Sequence, residues 1–349
     1  MVWQRLKVAV LNHNKKPLER LKTLEGYRRY FMDANFWQPY VHLVCQRHGL
    51  TPCQAVRAGL AGTCPAFIVE DRWVVKFFGE LFEGGAAFET ERQIGELLAA
   101  EKQIPAPAII AAGELLAGPA DWPWPYLIFE FIPGVSIGEV YEQVSLADKL
   151  RLAQMMGEIT QRLHRLPLPE HGLLQPSWAA YTNLLQAQYA RCKERQRREK
   201  SLPDRLIEQI EDFLLPLEGL IDQNGKPYLI HADLTADHVL GRLEGGRWTT
   251  LGLIDFGDAM AADWGYELIA LHLDLFRCNK RLLAAYLAAY GLSEGARRGL
   301  PAKAMSLTLL HRFNVLEGVF GRYPKADAVS TLGELATLLW EVNAPGVDD

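Results

Sequence analysis

Cysteine is scarce in this chain, with five in 349 residues, at Cys45, Cys53, Cys64, Cys192 and Cys278. Their number is odd, and no Cys-x-x-Cys pair or Cys/His ligand spacing occurs. That excludes a disulfide framework and a zinc module, and fits reduced thiols in a cytoplasmic protein. An excess of positive charge is missing as well. Thirty-seven Lys and Arg stand against 42 Asp and Glu, a net charge of -5. A protein that neutralises nucleic-acid phosphates carries the opposite balance, so no nucleic-acid partner is expected. No uncharged apolar run reaches the roughly 20 residues that a bilayer span needs, so no membrane partner is expected. The opening MVWQRLKVAVLNHNKK has too short an apolar stretch for a signal peptide. Internal repeats and low-complexity blocks are lacking too.

What is present is ample apolar material, 49% of residues, enough to fill a core. The length exceeds one minimal domain and suggests two lobes. Residues 36–47 carry an apolar stripe at helical spacing that stops at Gly49. The runs Phe67-Ile68-Val69 and Trp73-Val74-Val75 read as a hairpin through Glu70-Asp71-Arg72. A helix is expected over residues 86–101, ended by Pro105 and Pro107. Further strands are expected at residues 108–112 and 126–131, before the breaker Pro133-Gly134. Beyond it, helical patterns cover residues 146–166, 178–200 and 206–220, strands return from Tyr228 to Ile254, and the chain ends helical from Trp264. The expected organisation is residues 1–133 as a small β-rich lobe and 134–349 as a larger helical lobe, with a ligand in the cleft between them.

One constellation carries chemistry. His231-Ala-Asp233-Leu-Thr-Ala-Asp237-His238 is followed, after a turn at Glu244-Gly245-Gly246, by Leu253-Ile254-Asp255-Phe256-Gly257-Asp258. Short apolar strands thereby offer Asp233, His238 and Asp255 from loop ends. Phosphoryl transfer needs such a set: one carboxylate to take the proton of an attacking hydroxyl, and others to hold divalent metal against nucleotide phosphates.

These two segments resemble the kinase catalytic loop H-x-D-x-x-x-x-N and the D-F-G metal motif that follows it. The short spacing, and Asp258-Ala-Met-Ala-Ala-Asp263-Trp-Gly-Tyr-Glu267-Leu leading straight into a helix, are similar to the aminoglycoside phosphotransferase and choline kinase-like family. The segments Phe36-Trp37-Gln38-Pro39, Val75 to Glu80, Trp122 to Leu127, Arg162 to Leu168, Leu271-His272-Leu273 and Leu335 to Trp340 look like bacterial hygromycin B kinases that phosphorylate the destomic acid ring.

The resemblance implies an α+β, two-lobe protein-kinase-like fold and a small-molecule kinase. It would use ATP or GTP with Mg2+, or Mn2+ as the alternative. The acceptor would be a hydroxyl of a small molecule, cationic if it is an aminoglycoside-like antibiotic. A metabolic kinase for choline, a sugar or another alcohol, and a pseudokinase without turnover, are the rival readings. Asp233 would be the base, and Asp255 and His238 the metal ligands. Lys76 resembles the strand lysine that contacts nucleotide phosphates, with Glu91, or else Glu89, as its ion-pair partner. Gly62 and Thr63 fall where a phosphate-covering loop belongs, and Glu130 and Ile132 look like the hinge that bonds the purine. Most of the family has Asn where this chain has His238. Magnesium favours hard oxygen ligands, whereas imidazole suits softer divalent metals.

Several neighbours read better as structure. His231 suits packing and bonding of the loop backbone, Asp263 a helix N-cap, and Glu267 a brace for the same loop. Trp122 and Trp124, flanking a proline, suit lobe packing. The basic run at residues 191–200 is interrupted by Glu194 and Glu199 and reads as a solvated helix face. Asp258, Asp263, Glu267 and Asp274 after the metal motif offer acidic groups to a polycationic acceptor.

Overall fold

The computed structural model describes residues 17–116, 122–222 and 225–342. The chain separates into two compact units, one running to Pro133 and including Asp255–Gly257, the other made of Gly134–Ile254 and the residues from Asp258 on.

The first unit is built on a five-stranded antiparallel sheet. Its strands are β1 (Val56–Ala58), β2 (Ala66–Val69), β3 (Trp73–Phe77), β4 (Ile109–Glu114) and β5 (Pro125–Glu130), in the order β1-β2-β3-β5-β4. The expected hairpin is β2–β3, turned by Glu70 and Asp71 at φ 55° and 49°. β3 lies between β2 and β5 and is therefore interior, with Val75, Lys76 and Phe77 buried. Helices α1 (Leu24–Tyr30) and α2 (Ala34–Arg47) cover one face. α2 starts two residues before the expected point because the Asp33 carboxylate caps the amides of Asn35 and Phe36 at 3.0 and 3.2 Å. Trp37 of α2 is fully buried, stacked on Phe77 at 4.5 Å and edge-on to Trp124 at 5.4 Å. Trp122 donates its indole N–H to the Phe78 carbonyl at 2.8 Å. Both tryptophans thus pack the unit. Helix α3 (Gly84–Leu98) lies across the sheet and ends three residues short of the expectation. It begins at Gly84, where only glycine fits, since a Cβ there would meet the Gly79 carbonyl at 2.0 Å.

In the second unit, α4 (Leu146–Arg165) is the long helix, capped by Ser145. Residues 178–200 do not form one helix. They break at Ala190–Arg191 into α5 (Ala179–Tyr189) and α6 (Cys192–Glu199), Arg191 having φ -126° and ψ 10°. The break turns Arg195 inward, where its guanidinium bonds Gln188 Oε1 and the carbonyls of Leu309 and His311. The basic run is therefore a solvated face except at Arg195, which is buried. Residues 206–220 resolve into separate short turns, the last following Pro216.

Short strands position the loops. β6 (Val135–Ser136) pairs with β8 (Val239–Glu244), β7 (Tyr228–Ile230) with β10 (Met260–Ala262), and β8 with β9 (Arg247–Leu253). Gly245 and Gly246 at φ 56° and 76° make the β8–β9 turn, a backbone shape that suits glycine. Helices α7 (Trp264–Ala270), α8 (Lys280–Tyr290), α9 (Leu300–Leu309) and α10 (Leu332–Trp340) complete the unit. α4 and α8 touch backbone to backbone, since a Cβ on Gly157 would lie 2.5 Å from the Tyr286 carbonyl. All five cysteines are free. No helix among the described residues is long and apolar enough to cross a membrane.

Candidate active site

In the first unit β3 delivers Lys76 and α3 delivers Glu91. The Lys76 ammonium lies 2.8 Å from Glu91 Oε2 and 2.8 Å from Asp255 Oδ1. Lys76 and Glu91 are only 7% and 5% exposed, while the Asp255 side chain keeps 35% of its surface. Glu89 points elsewhere, held by Arg92 at 2.7 Å and Gln93 at 2.7 Å. Burial alone would pull the lysine down, but the charges of Asp255 and Glu91 outweigh it and hold Lys76 well above the usual lysine range.

The segment between β1 and β2 carries Gly62 and Thr63. A Cβ built on Gly62 would stand 4.0 Å from Asp255 Oδ2 with nothing nearer. The Tyr27 hydroxyl of α1 donates to the Thr63 carbonyl and pins this loop. Beside it, burial pushes the Cys64 thiol up to about 12, against the pull of Lys76 and with the push of Asp255 and Glu91. At the end of β5, exposed Glu130 donates its amide to the Ala108 carbonyl at 2.9 Å, and Phe131 donates to Arg72 at 3.0 Å. The half-buried Ile132 follows, outside the strand.

In the second unit, β7 runs into His231. Its Nε2 donates to the Ile254 carbonyl at 3.0 Å and its Nδ1 accepts the Asp233 amide at 3.3 Å, so one tautomer serves both. Glu267, on α7 and 1% exposed, accepts the amides of His231 at 2.7 Å and Ala232 at 3.1 Å. Ala232 adopts φ 66°, and Asp255, just past Ile254, adopts φ 64°. Non-glycine residues in this region are strained, and such strain gathers at functional sites.

The structure brings Asp233 and His238 together. His238 Nδ1 donates to the Asp233 carbonyl at 2.6 Å and lies 3.6 Å from its Oδ2. The nitrogen turned to any metal would therefore be Nε2. The acids after the metal motif are engaged within the protein. Asp258 pairs with Arg312 at 3.1 Å. Asp263 caps Gly265 at 2.8 Å and pairs with Lys303 at 2.8 Å. Asp274 accepts the Ala236 amide at 2.8 Å, a loop-bracing role that sequence reasoning missed. Its signal was available: Asp274 stands seven residues after Glu267, the spacing of one helix face.

Among the described residues, no three His, Cys, Asp or Glu side chains converge as a metal cage. The donors fit a cation held largely by nucleotide phosphates and water, as magnesium is. Asp255 supplies a hard carboxylate oxygen on the side of the glycine loop.

A strand lysine salt-bridged to a helix glutamate and to the aspartate of Asp-Phe-Gly, with a separate His-Ala-Asp loop, defines a kinase-like protein of the two-lobe α+β class. Solved structures share the fold. The GDP and kanamycin complex of APH(2")-IIia is 19% identical, covers 85% of this chain and 97% of that one, and has a TM-score of 0.60. A microcompartment-associated aminopropanol kinase is 15% identical, with 87% and 100% covered and a TM-score of 0.56. The profile of the phosphotransferase enzyme family matches residues 61–302, and the chain belongs to that family. The lysine-specific demethylase JMJ21 of Arabidopsis thaliana is 22% identical over 272 residues, and the match spans 63% of this chain but only 29% of that relative's length.

Proposed function

We propose that this chain transfers the γ-phosphoryl group of ATP or GTP to a hydroxyl of a small molecule. The observation that carries this is the buried Lys76 held at 2.8 Å by both Glu91 and Asp255. A buried ammonium held by two carboxylates beside the Gly62 loop suits phosphates and their cation. Lys76 would contact the phosphates, with Glu91 keeping it aimed. Gly62 and Thr63 would cover them, and the Glu130 carbonyl and Ile132 amide would bond the purine. Bound Mg2+, or Mn2+, would neutralise charge on the phosphate oxygens, and Asp255 and His238 are the residues that would hold it. Asp233, its backbone fixed by His231 and His238, would orient the acceptor hydroxyl and take its proton.

For the acceptor, an aminoglycoside-like antibiotic is the first class to test, since the relative quoted above is a kanamycin complex. A second reading, a metabolic kinase for choline, a sugar or an amino alcohol, has its own observation. The four acids that a polycationic acceptor would use are committed to Arg312, Lys303 and loop amides. The test is metal-dependent turnover of ATP and GTP with kanamycin, hygromycin B, choline and aminopropanol, in the parent and Asp233→Asn. General-base loss should cut turnover by about 10²–10⁴-fold while nucleotide affinity holds. Nucleotide binding without turnover on any acceptor would make the chain a pseudokinase, and a less than tenfold loss in the variant would remove the base assignment.

A further inference from the structure

We propose that Phe82 is a positioning residue for the loop of Gly62 and Thr63, acting through Tyr27 and tying that loop to the entry of α3. The proposal rests on the reading of this loop as the cover of the nucleotide phosphates. All of the residues concerned belong to the first unit. The loop is fixed at its two ends, where Gly59 donates its amide to the Ala66 carbonyl at 2.8 Å and Pro65 accepts the Phe77 amide at 2.8 Å. Between them Ala61, Gly62 and Thr63 are exposed. The Tyr27 hydroxyl, which donates to the Thr63 carbonyl, reaches this stretch from the core. Burial holds the phenol above the usual tyrosine range, so it keeps the proton that it donates.

Where the hydroxyl stands depends on where its ring stands. The Tyr27 ring is buried, stacked on Phe31 at 5.7 Å and 9°, and it lies against Gly79, where a Cβ would stand 3.1 Å from Cε2. A further wall is Phe82, edge-on at 5.4 Å and 64°. Phe82 is held there at a cost. It adopts φ 60° and Glu83 adopts φ 57°, a left-handed shape that residues with a Cβ resist, here twice in succession. The Phe82 ring is also 51% exposed, so burial offsets little of that strain. Strain of this kind persists where the surrounding structure over-determines it, and it gathers at functional sites. What the left-handed turn achieves is to lay the Phe82 ring against Tyr27. The same turn, Leu81–Glu83, runs straight into Gly84, the first residue of α3, and α3 carries Glu91, the partner of Lys76. One short segment thus meets both the helix that aims the lysine and the phenol that holds the loop.

The test compares the parent with Phe82→Gly, Phe82→Tyr, Tyr27→Phe and the double variant that joins Phe82→Gly to Tyr27→Phe. Glycine accepts the left-handed backbone and removes the ring, whereas tyrosine keeps the ring. The readouts are the Kd of ATP with Mg2+, kcat with one acceptor, hydrogen exchange of the peptide spanning residues 57–66, and melting temperature. We expect Phe82→Gly to weaken ATP about threefold, the value of one edge-to-face ring pair, with kcat little changed. It should exchange faster in that peptide and melt within a few degrees of the parent. Phe82→Tyr should match the parent throughout. In the Tyr27→Phe background the same glycine should add little, because the hydroxyl it acts through is gone. Unchanged affinity and exchange in Phe82→Gly, a loss confined to kcat, or a loss of full size in the Tyr27→Phe background would each overturn the proposal. If the parent binds neither ATP nor GTP, the reading of the loop as a phosphate cover fails, and the exchange rates of the same five proteins decide whether Phe82 positions it.

Discussion

Removing the Lys76 ammonium should do two things whose pH dependences differ. In Lys76→Met the charges of Glu91 and Asp255, each 2.8 Å from the lost ammonium, lose the cation they share. Stripping one partner from a buried ion pair typically costs about 3–5 kcal/mol. Asp255 is 35% exposed and can be hydrated, so the cost falls mainly on Glu91. For a unit of this size about 1 kcal/mol moves the melting point by roughly 3 °C, so the first unit should melt roughly 10–15 °C lower near pH 7.5. Adding Glu91→Gln should recover part of that loss, because it removes the stranded charge. The stranded carboxylates will bind protons in the folded variant more readily than in the unfolded chain. The deficit should then be nearly absent below about pH 4 and grow as pH rises. The parent differs at the alkaline end. Its raised Lys76 gives stability that is complete below the unfolded lysine value near 10.4 and is lost as pH climbs past it. Lys76→Met has no such limb. Calorimetric melting of parent, single and double variants from pH 4 to 11 reads all of this. A single variant as stable as the parent, or a double variant worse than the single, would refute the charge reasoning.

Other outcomes follow from single contacts. Tyr27→Phe frees the Thr63 carbonyl from its hydroxyl partner and should raise the nucleotide KM about fivefold with kcat little changed, the value of one ordinary hydrogen bond; an unchanged KM would show that the loop is held otherwise. His238→Asn exchanges a nitrogen donor for an oxygen, so the ratio of manganese-supported to magnesium-supported turnover should drop; an unchanged ratio would leave Asp255 as the metal anchor. Since Asp258, Asp263, Glu267 and Asp274 are engaged internally, the KM of a good acceptor should change by less than about threefold between low and physiological salt, where exposed charges are screened over ~8 Å; a steep salt dependence would locate other carboxylates in the acceptor site.

Much of the candidate site's geometry was legible because it is written in short runs. His231 to His238 and Leu253 to Asp258 each bring their polar groups with their own strand ends. Lys76 was legible as the charged residue of an apolar strand. Its partner was not fixed by pattern, because Glu89 and Glu91 share one helix and the lysine lies on a different element. What decides is helix geometry: Glu89 sits three and four residues from Arg92 and Gln93, which take it up, and Glu91 faces the sheet. The break at Ala190–Arg191 had no local mark. It goes with Arg195 reaching carbonyls 114 and 116 residues away, contacts that no window of periodicity contains.

The same physics limits what acidic composition can say about the acceptor. A count of Asp and Glu measures charge, and recognition needs charge that is still available. Asp258, Asp263, Glu267 and Asp274 stand within a short stretch of sequence, which is how a cationic pocket would look. Yet a carboxylate near a tight loop has competing customers at hand: helix-end amides, loop amides and any lysine or arginine that the fold returns. Asp263 takes an amide and Lys303, Glu267 takes two amides, Asp274 takes one, and Asp258 takes Arg312. Lys303 and Arg312 come from far along the chain, so only the fold reveals the commitment. Each engagement stiffens the loop that carries Asp233 or the segment after Asp255. A cationic acceptor would have to compete with those partners for the same carboxylate oxygens.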